Sequence, residues 1–376
     1  MRDAETIEIC YNDRESEQWR QQQLRIGIIG LPQSGKTTLF QLLTNNPSHL
    51  SQKPSLKANT GIARVIDPRV TKLSQIFSPK KTTYAAIEML DTANLPKSQN
   101  KNGSSLLEAL KDVDAVVQVV RAFDNSSAAR PMSELAEIQS ELILADWGLV
   151  ETRLGRIEKE RAKGANNTSA KETALLRRFK ETLEQEQPLR AVVLTEEEEK
   201  LIRGYNFLTR KPLLIAVNVD EEQMRRHSYP QKEELEDWAH ERSIPVILIS
   251  GQVEREISQL EEPDRSLFMA DLGIAESGIE RLSRVVYAHL GLISYFTVGE
   301  DEVRAWTIRQ GTNARQAAGK IHSDLERGFI RAEVISYEDF ITAGNMQKAK
   351  EKGMLRLEGR EYIVQDGDII SIRFKV

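Results

Sequence analysis

The chain has 376 residues, 40% of them hydrophobic and 29% charged, with a formal net charge of -5. That length allows two or three domains with an ordinary core, and the mildly acidic balance excludes a wholesale nucleic-acid coat while leaving room for a local basic patch. A single cysteine, Cys10, excludes an intramolecular disulfide and fits a reducing, cytoplasmic setting.

Residues 1–24 are polar and charged (Asp3, Glu5, Glu8, Asp13, Arg14, Glu15, Glu17) and lack the basic start and apolar centre of a signal peptide. A flexible extension is expected there, disordered or as one loosely docked helix, with a partner-binding arm as the other reading. No run of about 18 apolar residues follows, so no membrane partner is expected.

Leu24-Arg-Ile-Gly-Ile-Ile29 is a short apolar run ending at Gly30, which suits a buried parallel strand. The next segment, Thr37 to Leu43, predicts a helix whose Leu39, Phe40, Leu42 and Leu43 can face a sheet. Strands are predicted at Ala86–Asp91, with an acid at its carboxyl end, and at the β-branched Asp114–Arg121. Leu135, Ile138, Leu142 and Leu149 then recur at helical spacing, and Ile157 follows. Gly164 to Thr168 breaks the run, a second helix carries Leu175, Leu176, Phe179 and Leu183, and Pro188 closes it. The pattern predicts an antiparallel helical hairpin inserted at 133–195.

Two more strands are expected at Pro212–Asn218 and Pro245–Ser250. Strands alternating with helices predict an α/β domain with an open, mostly parallel sheet, built from 25–132 and 196–295. Ligands of such sheets bind beyond the carboxyl ends of the strands, where Asp91, Asn218 and Ser250 fall. Residues 296–376 carry apolar segments (Val303–Ile308, Arg331–Ile335, Ile369–Phe374), a helix from Thr312 to His322 and the turn Gln365-Asp-Gly-Asp368. They predict a small mixed α+β module.

Gly30-Leu-Pro-Gln-Ser-Gly-Lys-Thr37 has the P-loop spacing, here between a predicted strand and a predicted helix. Its glycines let the backbone wrap phosphates with amide N–H groups inward, and the helix adds its positive dipole end. Lys36 is placed on the β- and γ-phosphates, and the Thr37 hydroxyl on Mg2+. Asp91 is the expected second acid, holding Mg2+ through water, with a helix N-cap or turn aspartate as the alternative. Asn218-Val-Asp-Glu221 resembles the base-reading Asn-Lys-x-Asp motif of the GTPase superfamily. With Glu221 in the fourth position and Val219 in the second, guanine selectivity weakens and adenine becomes admissible; an ordinary Asx-turn loop is the alternative.

Together these motifs resemble the Obg-like ATPase, or YchF, family over residues 24–376. The specific parts are the P-loop, Ile66-Asp-Pro-Arg69, Pro79-Lys-Lys-Thr-Thr-Tyr84 and Val120-Arg-Ala-Phe-Asp124. The longest lie at Arg304–Ile308, His322–Asp324, Gly328–Asp339 and Gln365–Asp368. The resemblance implies a P-loop G domain, an inserted helical coiled coil and a C-terminal TGS domain of β-grasp type. It also implies ATP hydrolysis, frequent GTP binding and association with ribosomes. By position, Gln33, Ser34, Gly35, Lys36, Thr37 and Thr38 would hold phosphates. Ser55 falls at the family's Mg2+-ligating switch threonine, with Thr60 as the alternative. Asn218, Val219 and Glu221 would form the base motif, and Ser250, Gly251 and Gln252 would present backbone to the base.

The chain departs from the family in three places. Asp-x-x-Gly becomes Asp91-Thr-Ala-Asn94, and Asn94 narrows the backbone options of a glycine that moves during switching. Leu95 keeps the family's apolar residue, but Pro96–Gly103 replaces the glycine-rich switch. No histidine occurs between His49 and His227, where the family has a catalytic one; Gln118 and Arg130 are the nearest polar substitutes. A slow ATPase acting as a ribosome-facing switch is therefore expected. The other readings are a hydrolysis-deficient, nucleotide-gated scaffold and a ribosome- or ribosomal-RNA-binding module. Arg304, Arg309, Arg315, Lys320, Arg327 and Arg331 would supply the phosphate contacts of that module.

Overall fold

The computed structural model describes residues 24–44, 59–92, 109–123, 129–163 and 170–375. Its strands begin with β1 (Arg25–Gly30), β2 (Asn59–Val65), β3 (Lys81–Thr83), β4 (Ala85–Asp91), β5 (Ala115–Arg121), β6 (Leu213–Asn218) and β7 (Val246–Ile249). They continue with β8 (Leu292–Thr297), β9 (Glu302–Arg309), β10 (Phe329–Ser336), β11 (Arg356–Glu358) and β12 (Asp368–Phe374).

Six of them form an α/β sheet in the order β2-β4-β1-β5-β6-β7, parallel throughout except for β2 against β4. The central strands are mostly apolar and buried because helices cover both of their faces, with Gln118 of β5 the polar exception. On one face Leu39, Phe40 and Leu43 of helix Lys36–Thr44 pack with Leu282 and Val286 of helix Gly278–His289. Across the sheet, Leu135, Ile138 and Leu142 pack with Leu235 and Ala239 of helix Lys232–Glu241. The antiparallel edge strand β2 escapes sequence reading because Ile62 lies on its exposed face and Gly61 interrupts the alternation.

The hairpin consists of helices Pro131–Ala162 and Ala170–Glu184. Val150, Leu154 and Ile157 of the first pack against Leu175, Leu176, Phe179 and Leu183 of the second. Gly164 to Thr168 lies outside the described residues. At the hairpin root the buried Asp146 accepts from Leu208 N at 2.9 Å, and from Thr209 N at 2.8 Å and Thr209 Oγ1 at 2.7 Å. These bonds moor the long helix to the 3-10 turn that leads into β6.

The second sheet runs β11-β10-β12-β8-β9-β3. Its first C-terminal strand, β8, starts at Leu292 and spans position 296. Its edge strand β3 comes from the other end of the chain and pairs in parallel with β9, Thr82 opposite Val303. Two of the motifs that carry the family resemblance thus become contacts between the two sheets and their flanking segments. Pro79–Tyr84 contains the donated strand, and Ile66–Arg69 meets Gln365–Asp368 through Arg69. The Arg69 guanidinium bonds Asp67 at 2.9 Å and Asp366 at 2.8 Å and lies 5.2 Å above the Phe296 ring. Burial works against its charge, but the hydrogen bonds to both carboxylates outweigh that and hold the group above its ordinary pKa. Asp366 also accepts from Ser294 N at 2.9 Å. Replacing Arg69 by methionine should destabilise this junction by about 1–2 kcal/mol, since the largely buried Asp67 and the half-exposed Asp366 lose their shared partner. Hydrogen exchange should then speed up at β3 and Ser294, with nucleotide affinity unchanged.

Candidate functional site

The expected ligand-binding residues gather at the carboxyl ends of β1, β4, β6 and β7. The turn after β1 carries two residues in the left-handed region, Gln33 at φ 64° and Gly35 at φ 92°. A Cβ on Gly35 would come within 2.1 Å of Asn218 Nδ2, so this position needs glycine for space as well as for conformation. Asn218, at the end of β6, donates to Ser34 O at 2.9 Å and accepts from Gly251 N at 3.0 Å. One side chain therefore joins the P-loop to the loop after β7. Ser250 caps the helix Gly251–Gln259 by accepting from Val253 N at 3.4 Å.

Lys36 is only 5% exposed, and its ammonium donates to Leu31 O at 3.3 Å. Burial lowers its pKa, and the nearby Asp91 carboxylate partly offsets that. Asp91 ends β4 at 4% exposure, and burial raises its pKa against the hydrogen bond from Thr37 and the charge of Lys36. Two buried oxygens here, Asp91 Oδ1 and Ser34 Oγ, have no hydrogen-bond partner among the described residues. Unsatisfied buried acceptors beside a desolvated lysine suit a ligand that brings phosphate oxygens and a hydrated cation. Among the described residues no group of three His, Cys, Asp or Glu could hold a metal unaided. Thr37 and Asp91 fit Mg2+ in the form that takes most of its oxygens from phosphate and water.

Other expected residues stand apart from this cluster. Val219 is buried in the core with its N–H on Ile249 O, so its side chain faces packing atoms. Gln252 is exposed and bonds Glu256 at 3.3 Å. Glu221 opens helix Glu221–Arg226 and pairs with Arg225. Thr38 is half-buried behind the loop, and Thr60 lies in β2 opposite Leu90. Ser55, Asn94, Leu95, the segment 96–103 and residues 1–23 lie outside the described residues. Gln118 is no stand-in for a catalytic histidine. It sits fully buried in β5, donating to Leu135 O at 3.2 Å and accepting from Gln139 at 2.7 Å. Arg130 is exposed at the start of helix Pro131–Ala162.

A ribosome-binding ATPase YchF of Bacillus subtilis (strain 168) is 42% identical over 365 residues, covering 94% of this chain and 100% of that protein. This chain belongs to the YchF family. The protein of the same description from Escherichia coli O157:H7 is 39% identical over 363 residues, covering 94% and 99%. The YchF-GTPase C-terminal family model, described as a protein of unknown function, matches residues 292–375. A model described as a 50S ribosome-binding GTPase matches residues 25–146. In fold, the solved structure of the Schizosaccharomyces pombe YchF GTPase superposes with a TM-score of 0.82 at 30% identity, covering 93% of this chain and 97% of that one.

Within this YchF-family fold, sequence reading missed three supporting residues. Gln223 completes a capping box with Asp220 and donates to Ala122 O at 2.9 Å, which ties the base motif to the segment after β5. The Asp220–Gln223 spacing is a helix-start signal that could have found it. Thr92 is buried and donates to Ile28 O at 2.7 Å, fixing the chain just past Asp91. Asp271 holds Arg225 from another helix, and no local pattern announces that contact. At the C-terminal end, Trp306 and His322 serve the fold. Trp306 donates to Thr297 at 2.9 Å, and His322 accepts from Asp324 N at 3.1 Å as a cap. Among the described residues no helix is long and apolar enough to cross a membrane.

Proposed function

We propose that this YchF-family protein binds ATP with Mg2+, admits GTP, hydrolyses the bound triphosphate slowly and uses the cycle to switch a ribosome-facing surface. The observation that carries the reading is the convergence of the buried Lys36–Asp91 pair with Asn218, which joins the phosphate loop to the base loop. The relatives named as ribosome-binding ATPases support the partner and the reaction.

Lys36 would neutralise the β- and γ-phosphate oxygens in a site where desolvation strengthens the attraction. The amides from Gln33 to Thr38 would position the phosphates, and the dipole of helix Lys36–Thr44 would favour their charge. Mg2+ held by Thr37 and, through water, by Asp91 would supply charge stabilisation at the transferring phosphoryl group. Gln118 is committed to the hairpin helix and does not orient the attacking water. Losing one transition-state donor costs about 10²–10³ in rate, which is why slow turnover is expected.

The second reading, a hydrolysis-deficient scaffold gated by nucleotide, rests on Asn94 and on the absence of a histidine between His49 and His227. Calorimetric titration with non-hydrolysable ATP and GTP analogues plus Mg2+, alongside single-turnover hydrolysis, separates the two. Binding with hydrolysis is expected. Binding without hydrolysis selects the scaffold, and no binding refutes both. Sedimentation with ribosomes in each nucleotide state tests the switch, which fails if association ignores the nucleotide.

A further inference from the structure

The two sheets diverge beside β9. Strand β3 follows β9 only as far as Thr83 opposite Arg304, and the chain then turns at Tyr84 into β4 of the first sheet. Along the rest of β9 this leaves a groove of about 720 Å³, with Tyr84 and Ala85 on one side and Trp306 and helix Ala314–Ile321 on the other. Its cations are Arg304, which lies 4.0 Å from the Trp306 ring centre, Arg309 and Lys320. Burial and the neighbouring Arg309 charge hold Lys320 below its ordinary pKa, a like-charge contact that a carboxylate would relieve. Asp114 is the one acid among the described lining residues, and it already accepts from Arg25 N at 2.9 Å.

Leu24, where the described chain begins, is itself a lining residue of this groove. The segment before it, residues 1–23, lies outside the described residues. Its sequence holds six acids against three bases, together with Ile7, Ile9, Tyr11 and Trp19. Family matches begin at residue 25 and end at 375, and 94% of this chain covers the Bacillus subtilis relative in full. Residues 1–23 are therefore an addition to the family frame. We propose that they dock back into this groove, acids on Arg309 and Lys320 and apolar side chains on the Trp306 wall, so that the chain covers its own basic surface. The tether favours this, because a short linker gives an effective concentration on the order of mM and individually weak contacts then suffice. The other large groove, beside Arg25, is a poorer match because its cations are already engaged, Arg25 by Glu88 and Arg210 by Glu199.

Cys10 is the only cysteine and so the natural probe site. A nitroxide on Cys10 of the full chain should broaden the amide resonances of Trp306–Arg309 and of helix Ala314–Ile321, relative to the reduced label. The lost intensity should return in about 1 M salt, where the Debye length falls to about 3 Å. Glu5→Lys with Glu8→Lys should restore it at low salt. Adding Arg309→Glu and Lys320→Glu to that pair should bring the broadening back, as a charge swap requires. The first pair decides alone if the groove variants fail to fold, since it changes nothing in the described fold. Groove resonances at full intensity, or broadening that ignores the Glu5 and Glu8 reversals, would overturn the proposal. So would a groove untouched by the label whose resonances shift with a single-stranded oligouridylate, which would make RNA the occupant.

Discussion

Lys36→Ala should lower the affinity for Mg2+ and triphosphate by about 10²–10³-fold while leaving the nucleotide-free protein as stable as before. The two halves have one cause. Lys36 is buried, and desolvation already works against its charge in the free protein. Removing it deletes the cation that offsets phosphate charge, yet it also removes a group that is costly to bury. The carbonyl it caps, Leu31 O, loses one hydrogen bond at 3.3 Å, a small term. Calorimetry for affinity and thermal melting for stability check the pair. A variant that melts much earlier, or that binds triphosphate as the parent does, would contradict the assignment of Lys36 to the phosphates.

Asp146→Ala should give the opposite signature. The carboxylate is 2% exposed and accepts from two backbone N–H groups and one hydroxyl. Truncation strands those donors in the interior and deprives the buried Arg190 of its nearby negative charge. The expected loss is about 3–5 kcal/mol, at the top of the usual range for a point change. Nucleotide affinity should stay within about threefold, because the moored turn lies at the far end of β6 from Asn218. Burial also raises the Asp146 pKa above its ordinary value of 3.8. Between that value and the raised folded pKa, the folded state keeps a proton that the unfolded chain has released. The stability contributed by that proton is present below about pH 3.8 and is lost as pH rises through the folded pKa. Melting curves of the variant should lack this component of the pH dependence.

Gly35 and Gln118 mark how far sequence reading reaches. The left-handed turn at Gly35 follows from the glycine spacing of the loop, because phosphate-wrapping geometry is local. Gln118 offered a polar side chain near the expected catalytic position, and only the packed structure shows its amide spent on Leu135 and Gln139. Glu221 is intermediate. Its place in the base motif is legible, and its spacing to Arg225 suggests a pair, but the anchor at Asp271 lies 46 residues beyond Arg225.

By itself the sequence determined the phosphate loop, the buried parallel strands and the helical hairpin. Each is a contiguous segment whose backbone geometry or apolar period is written residue by residue. Tertiary structure alone decided the rest. Asn218 reaches Ser34 across 184 residues, β3 completes the edge of the second sheet, and Arg69 finds Asp366 297 residues away. The physical reason is common to all three. A polar group or a strand edge carries no periodic signal of its partner, and its hydrogen bonds are settled only when packing brings distant segments within about 3 Å.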